Sequence, residues 1–113
     1  MEKINCATGK FIFKKGDKAD GLYIIGSGKI GIFFPTNHEL IDPDIVLGAT
    51  EILGEMGVID TAPRMATARA LEDTTLIYVS QNDFEKKLAE SDMIIRGVMA
   101  ILSDRLRLLQ KRR

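Results

Sequence analysis

Apolar and polar positions change period once along this chain. Between residues 8 and 80 the apolar residues fall in short β-branched and aromatic runs: Phe11-Ile12-Phe13, Leu22-Tyr23-Ile24-Ile25, Ile30-Gly31-Ile32-Phe33-Phe34, Ile45-Val46-Leu47 and Leu76-Ile77-Tyr78-Val79. Such runs suit a pleated, half-buried surface and predict strands. Turn chemistry separates them at Lys15-Gly16-Asp17, Gly26-Ser27-Gly28 and Asp42-Pro43-Asp44. Short strands at roughly even spacing, without strand–helix alternation, predict a sandwich or barrel-like roll. From residue 81 the period becomes helical. Asn82 or Asp83 is placed to cap a helix carrying Phe84, Leu88 and Ala89, and Ser91 or Asp92 to cap another. In the second helix Ile95, Val98, Leu102, Leu106 and Leu109 recur at three- and four-residue steps, and Ile94 and Ile101 widen the stripe. Gly97 costs this helix about 1 kcal/mol against alanine. Arg105, Arg107, Lys111, Arg112 and Arg113 suit the negative end of its dipole.

Length and charge narrow the function classes. The 113 residues fit a single domain spanning 1–113, with the β part at about 8–80 and helices at about 81–113. Sixteen basic and sixteen acidic side chains cancel. There is no domain-wide basic field to attract phosphate backbones, so no nucleic-acid contact is expected. No apolar run approaches the roughly 18 residues of a membrane span, and no signal-peptide pattern opens the chain. The expectation is a soluble cytoplasmic domain that does not insert into membranes. Cys6 is the single cysteine, which excludes an internal disulfide and suits a reducing compartment. Cys6 and His38 are the whole supply of Cys and His ligands, short of the three or four a zinc site takes. His38 lies in Pro35-Thr36-Asn37-His38-Glu39 and reads as a loop residue. No metal, cofactor or catalytic residue is expected.

The stretch that carries chemistry is Leu53-Gly54-Glu55-Met56-Gly57-Val58-Ile59-Asp60-Thr61-Ala62-Pro63-Arg64-Met65-Ala66-Thr67-Ala68. Gly54 has no Cβ and lets backbone approach a ligand. Glu55 to Ile59 can form one helical turn whose first N–H groups would point out unpaired, a ready anion site. Pro63 fixes its own φ and pushes Ala62 to extended conformation. Arg64 then presents a planar fork suited to phosphate, and Met65-Ala66-Thr67 returns to strand. Between Lys29 and Arg64 there is no lysine or arginine, but six acids: Glu39, Asp42, Asp44, Glu51, Glu55 and Asp60. An ion pair between Arg64 and one of those acids stays open beside the anion-binding reading.

These residues resemble the cyclic nucleotide-binding domain of catabolite-activator-type regulators, protein kinase A regulatory subunits and gated channels. The resemblance runs from Gly9 to about Leu109. It rests on Gly9-Lys10-Phe11-Ile12-Phe13-Lys14-Lys15-Gly16-Asp17, on Leu22-Tyr23-Ile24-Ile25-Gly26-Ser27-Gly28-Lys29-Ile30, and on the phosphate-binding cassette, Gly54-Glu55 with Pro63-Arg64-Met65-Ala66-Thr67 nine residues on. It implies a mainly β fold, an eight-stranded β-roll (jelly-roll) with a short internal cassette helix and C-terminal helices. In that fold Arg64 would bind the exocyclic oxygens of a cyclic phosphate, helped by the N–H groups of Met65 and Ala66, with Thr67 closing the cassette. Glu55 would accept from the ribose 2′-OH, and Gly54 and Met56 would border the sugar. Ile32, Val46 and Leu47 would line the base pocket or simply fill the core. Leu109-Gln110 would stand where a lid reaches the base.

Thr50 occupies the family's turn-glycine position and Leu53 that of a common phenylalanine. Met65 lacks the hydroxyl associated with cyclic GMP, which tilts the expected ligand to cyclic AMP over cyclic GMP. A carboxylate for a hydroxyl and a guanidinium for one negative charge agree with that ligand on bare chemistry. The expected role is a regulatory sensor, not an enzyme, reporting through its C-terminal helix. That helix could also join a homodimer, with an effector domain or partner protein downstream. The competing reading is a roll that has lost nucleotide binding and serves as an interaction or dimerisation module.

Overall fold

Strand alternation closes two four-stranded antiparallel sheets in a computed structural model that describes residues 1–55 and 63–111, the side chains of residues 103, 106, 107 and 109–111 excepted. In chain order the strands are β1 (Glu2–Cys6), β2 (Phe11–Phe13), β3 (Gly21–Ser27), β4 (Ile30–Phe33), β5 (Ile45–Leu47), β6 (Ile52–Leu53), β7 (Thr67–Ala70) and β8 (Thr74–Ser80), followed by helices α1 (Gln81–Ala89) and α2 (Met93–Lys111). One sheet runs β1-β8-β3-β6 and the other β2-β7-β4-β5. This is the mainly β roll with C-terminal helices that the pattern predicts. The cassette helix expected over Glu55 to Ile59 lies, beyond Glu55, outside the described residues.

The five runs read as strands all form strands, and three further strands, β1, β6 and β7, lie outside them, β7 where Met65-Ala66-Thr67 is expected to return to strand. β1 begins at Glu2, not near residue 8, and pairs along its length with β8, from Glu2 opposite Tyr78 to Cys6 opposite Thr74. Its sequence, Glu-Lys-Ile-Asn-Cys, offers only Ile4 and Cys6 to the core. β6 has two residues, and its Leu53 is buried to 2% exposure. Gly26 and Ser27 belong to β3 rather than to a turn, which Gly28 makes alone at φ +94°. Thr50, at the position of the expected turn glycine, has φ +73°. A side chain in that left-handed region costs about 1–2 kcal/mol. The bend it makes lets Thr50 N–H donate to Ile25 C=O at 2.8 Å.

The core is Ile25, Ile30, Leu53, Ala68, Ala70 and Leu76, drawn from both sheets. Ala68 and Ala70 on β7 are small enough to let the sheets close over them. A second cluster, Leu22 and Val79 with Ile24 and Phe84, seats α1 on β3 and β8. The cap of α1 is Ser80, whose hydroxyl accepts from Asp83 N–H at 3.1 Å, and not Asn82 or Asp83. Asp92 caps α2, accepting from Ile94 N–H at 2.7 Å, while Ser91 donates back to Leu88 C=O. Met99 apart, which is half-buried, the large described apolar side chains of α2 are open to solvent, from Leu102 at 49% to Met93 at 77%. Its described stripe positions, Ile94, Ile95, Val98, Ile101 and Leu102, are therefore not buried on the roll.

Two loop carboxylates pin the strand ends. Asp44 accepts from Phe34 N–H at 2.8 Å and Asn37 Nδ2 at 3.1 Å. Asp73 accepts from Thr8 N–H and Thr8 Oγ1, both at 2.9 Å. These bonds, the backbone ones foremost, hold both acids below the usual aspartate value. A depressed folded pKa stabilises the fold above the unfolded value, near about 3.9, and that contribution is lost as pH falls through the folded value. Denaturant unfolding followed downward from neutral pH is expected to show stability falling below about pH 4, with a shallower fall in the Asp44→Asn, Asp73→Asn double variant. An identical acid limb in that variant would remove these two carboxylates as its cause.

Candidate functional site

Arg64 enters the roll between the Lys14–Asp17 turn and β7. Its backbone is tied on both sides: Arg64 N–H donates to Asp17 C=O at 2.9 Å, and Gly16 N–H donates to Arg64 C=O at 2.8 Å. The turn is itself closed by Asp17, whose N–H donates to Lys14 C=O and whose carboxylate accepts from Lys14 N–H. With the backbone held there, the side chain runs inward and is 7% exposed.

The guanidinium then meets carbonyls and rings, not acids. Nη1 donates to Gly54 C=O at 3.0 Å and Nη2 to Gly21 C=O at 2.9 Å. Cζ stands 4.4 Å from the Phe13 ring centroid and 6.0 Å from that of Tyr23. Among the described residues no carboxylate lies within ion-pair distance of Arg64. The ion pair left open above is therefore not made by Glu39, Asp42, Asp44, Glu51 or Glu55. Asp60 lies outside the described residues. Nε is buried without a hydrogen-bond partner. Burial lowers the Arg64 pKa, opposed by the fields of Tyr23, Asp20, Tyr78 and Asp17. A buried cation with an orphaned donor and no carboxylate in reach among the described residues has the chemistry to take an anion.

Gly54 is fitted to this arginine. Its φ is +73°, and a Cβ there would stand 2.5 Å from Arg64 Nη1. Glu55, next in chain, is partly buried. Met65 is 52% exposed beside the arginine, and Ala66 is partly buried. Thr67 is buried, and its hydroxyl accepts from Lys15 N–H at 3.0 Å, so it braces the same turn that holds Arg64. Ile32 and Leu47 are partly buried against the core cluster, which favours the core-filling side of their reading, whereas Val46 is 51% exposed. Met56 lies outside the described residues, and so does the side chain of Leu109.

Residues 3–91 match the model of the cyclic nucleotide-binding domain. The chain belongs to that family. Among curated relatives, the cyclic AMP receptor protein of Thermus thermophilus is 33% identical over 99 residues, covering 88% of this chain and 46% of the relative. A CRP-like cAMP-activated global transcriptional regulator of Mycobacterium tuberculosis is 26% identical over 109 residues, covering 95% and 48%. The chain spans about half the length of these curated relatives. Among solved structures, the half-site-occupied form of the EAL enzyme Bd1971 superposes with a TM-score of 0.84 at 33% identity, covering 96% of this chain and 97% of that one.

Within this cyclic nucleotide-binding domain, sequence reasoning missed Gly21, Phe13 and Tyr23, the three residues that surround the guanidinium with Gly54. Gly21 carries a packing signal visible only in three dimensions: a Cβ there would stand 2.5 Å from Val79 O. Behind it Tyr78 donates to Asp20 Oδ1 at 2.9 Å and meets the Tyr23 ring at 5.1 Å between centroids, tilted by 50°. Burial and that bond push the Tyr78 pKa up to about 12. A cavity of about 380 Å³ opens elsewhere, between β1 and β2, with Ile4, Cys6, Phe11, Ile12, Tyr23 and Leu76 in its wall. Of the described residues around the guanidinium only Tyr23 reaches its wall, and Gly54, Glu55 and Arg64 do not line it. Burial raises the Cys6 thiol pKa above its ordinary value, away from thiolate chemistry.

The Gly54–Arg64 fit is testable as a coupling. Gly54→Ala is expected to cost about 1–2 kcal/mol for the left-handed backbone, plus a further penalty for the displaced guanidinium. In an Arg64→Leu background only the backbone part should remain, measured by denaturant unfolding of the four proteins in the cycle. Costs that add within about 0.5 kcal/mol would mean the two residues do not touch.

Proposed function

We propose that residues 1–113 act as one cytoplasmic regulatory sensor that binds a cyclic nucleotide, cyclic AMP in preference to cyclic GMP, and reports it through movement of α2. The observation that carries this reading is the buried Arg64 guanidinium with its unpartnered Nε and no carboxylate in reach among the described residues. A cyclic phosphate bears a single negative charge and would supply the acceptors that the guanidinium lacks. In this reading Arg64 takes the exocyclic oxygens, with the N–H groups of Met65 and Ala66 beside it. Glu55 accepts from the ribose 2′-OH, because an ionised carboxylate is acceptor-only. Gly54 and Met56 border the sugar, Thr67 closes the cassette, Ile32 and Leu47 back the base, and Leu109 belongs to the lid. No residue here has a catalytic role.

The relatives support a cyclic nucleotide as the ligand class. Two are described as a cyclic AMP receptor and a cAMP-activated regulator. Bd1971 is known in cAMP-bound and cGMP-bound forms, which superpose with TM-scores of 0.75 and 0.79. The preference for cyclic AMP rests on Met65, which stands exposed beside Arg64 and has no hydroxyl to offer guanine. The output belongs to an effector domain or partner protein. The exposed stripe of α2 favours a second role in the same reading: this helix also joins two copies of the chain, since open leucines and isoleucines seek cover. A roll without nucleotide, working only as an interaction module, is the alternative that titration excludes or establishes.

Calorimetric titration with cyclic AMP and cyclic GMP is the direct test. Arg64→Leu is expected to weaken binding by about 30-fold to several thousand-fold, the equivalent of roughly 2–5 kcal/mol for a truncated charge partner. Glu55→Ala should erase the discrimination against 2′-deoxy cyclic AMP, since only a site that bonds the hydroxyl rejects the analogue lacking it. An Arg64→Leu variant binding within about twofold of wild type would sink the assignment.

The α2 reading has its own check. Truncation after Asp104 should weaken nucleotide affinity and lower the mass seen by light scattering. Unchanged affinity together with unchanged mass would mean that α2 is neither lid nor interface.

A further inference from the structure

Period-two alternation along β2 would turn Phe11 and Phe13 to the same face of the sheet. The pairing with β7 breaks that rule. Phe11 lies opposite Arg69 and Phe13 opposite Ala68, a register shift between them that marks a bulge. Phe11 stays 38% exposed, with Lys14 Nζ 4.8 Å and Arg69 Cζ 5.9 Å from its ring centroid. Phe13 packs against the core cluster and meets Tyr23 at 6.2 Å between centroids. A bulge of this kind re-aims one side chain, and such bulges concentrate beside functional sites. The residue aimed here sits under the Arg64 guanidinium at 4.4 Å.

We infer that Phe13 is a positioning residue for the anion site, its ring face holding the Arg64 guanidinium where a carboxylate counter-ion would otherwise stand. The distinction matters for binding. A carboxylate would bond the in-plane N–H groups that a phosphate needs, and the ligand would have to displace it. A ring attracts the cation through its face and leaves the N–H edge for the ligand. The observed contacts have that division: Cζ lies over the Phe13 ring, two donors go to the carbonyls of Gly21 and Gly54, and Nε has no partner. The inference rests on the nucleotide-binding reading for its purpose, but not for its geometry.

Phe13→Leu keeps apolar bulk and removes the ring, and Phe13→Tyr restores a ring. In the ligand-free protein, the NMR resonance of Arg64 Hε, assigned by its loss in Arg64→Leu, should carry an upfield ring-current displacement. That displacement should vanish in Phe13→Leu and persist in Phe13→Tyr. Calorimetry with cyclic AMP should show Phe13→Leu weaker by about 3- to 30-fold, the range of a desolvated cation–ring contact, with affinity recovered in Phe13→Tyr. An Hε resonance unmoved by Phe13→Leu overturns the inference, as does Phe13→Leu binding as tightly as wild type. Equal weakening in Phe13→Leu and Phe13→Tyr, tracking thermal stability, would make Phe13 a core filler and overturn it also. A wild type that binds no cyclic nucleotide refutes the functional reading instead, and the Hε displacement then still decides whether Phe13 holds Arg64.

Discussion

A cation buried with no carboxylate in reach among the described residues is the constraint around which this roll is arranged. Removing a guanidinium from water is costly unless its charge and donors are met. Among the described residues Arg64 is met by carbonyl dipoles at Gly21 and Gly54 and by the rings of Phe13 and Tyr23. Its lowered pKa records the cost of burial. Several local oddities become intelligible from that requirement. Gly54 must lack a Cβ because Arg64 Nη1 occupies the space. The bulge in β2 brings a ring beneath the cation. The Lys14–Asp17 turn fastens the arginine's backbone from both sides, and Thr67 fastens that turn.

Topology is what gathers these groups from distant places in the chain. β2 and β7 are neighbours in one sheet, so Phe13 and Arg64 stand at adjacent strand ends. β3 and β6 are neighbours in the other, which sets Gly21 and Tyr23 near Gly54. Stacking the sheets over Ala68 and Ala70 then brings the pairs together. The site exists only in the closed roll, which separates stability from function. The core clusters contain none of the groups that hold the guanidinium edge, so the arginine's charge can be removed without emptying the core.

Legibility in the sequence followed how much of each signal was local. The five apolar runs were readable because strand propensity and alternation are local properties, and Gly54 and Arg64, which the fold brings into contact, could be picked out because their residue types sit at fixed spacing. β1 was not: Ile4 and Cys6 are too few for an alternating pattern, and its order comes from pairing with β8. β6 is two residues long and is held by β3, not by propensity. The α1 cap was displaced because Ser80 ends a strand and begins a helix, and a strand pattern hides a capping hydroxyl. Gly21 and Phe13 act through contacts more than forty residues away in sequence, and no local pattern announces those. Thr50 is the converse case. Its left-handed φ is what a glycine there would have made easy, so the resemblance pointed at real backbone geometry through a residue that departs from it.

α2 differs from the rest of the molecule in what stabilises it. Most helical stability in folded proteins comes from burying an amphipathic face. α2 presents Ile94, Ile95, Val98, Ile101, Leu102 and Leu108 to solvent, each at least 49% exposed. The family match ends at Ser91, before α2 begins. The roll therefore carries a self-sufficient core, and the helix after it carries an uncovered apolar face. In the proposed sensor this asymmetry is the means of output. A ligand would shift the helix only by its differential affinity for covered and uncovered arrangements, so the apolar face that the roll leaves open is the surface on which such a difference would act.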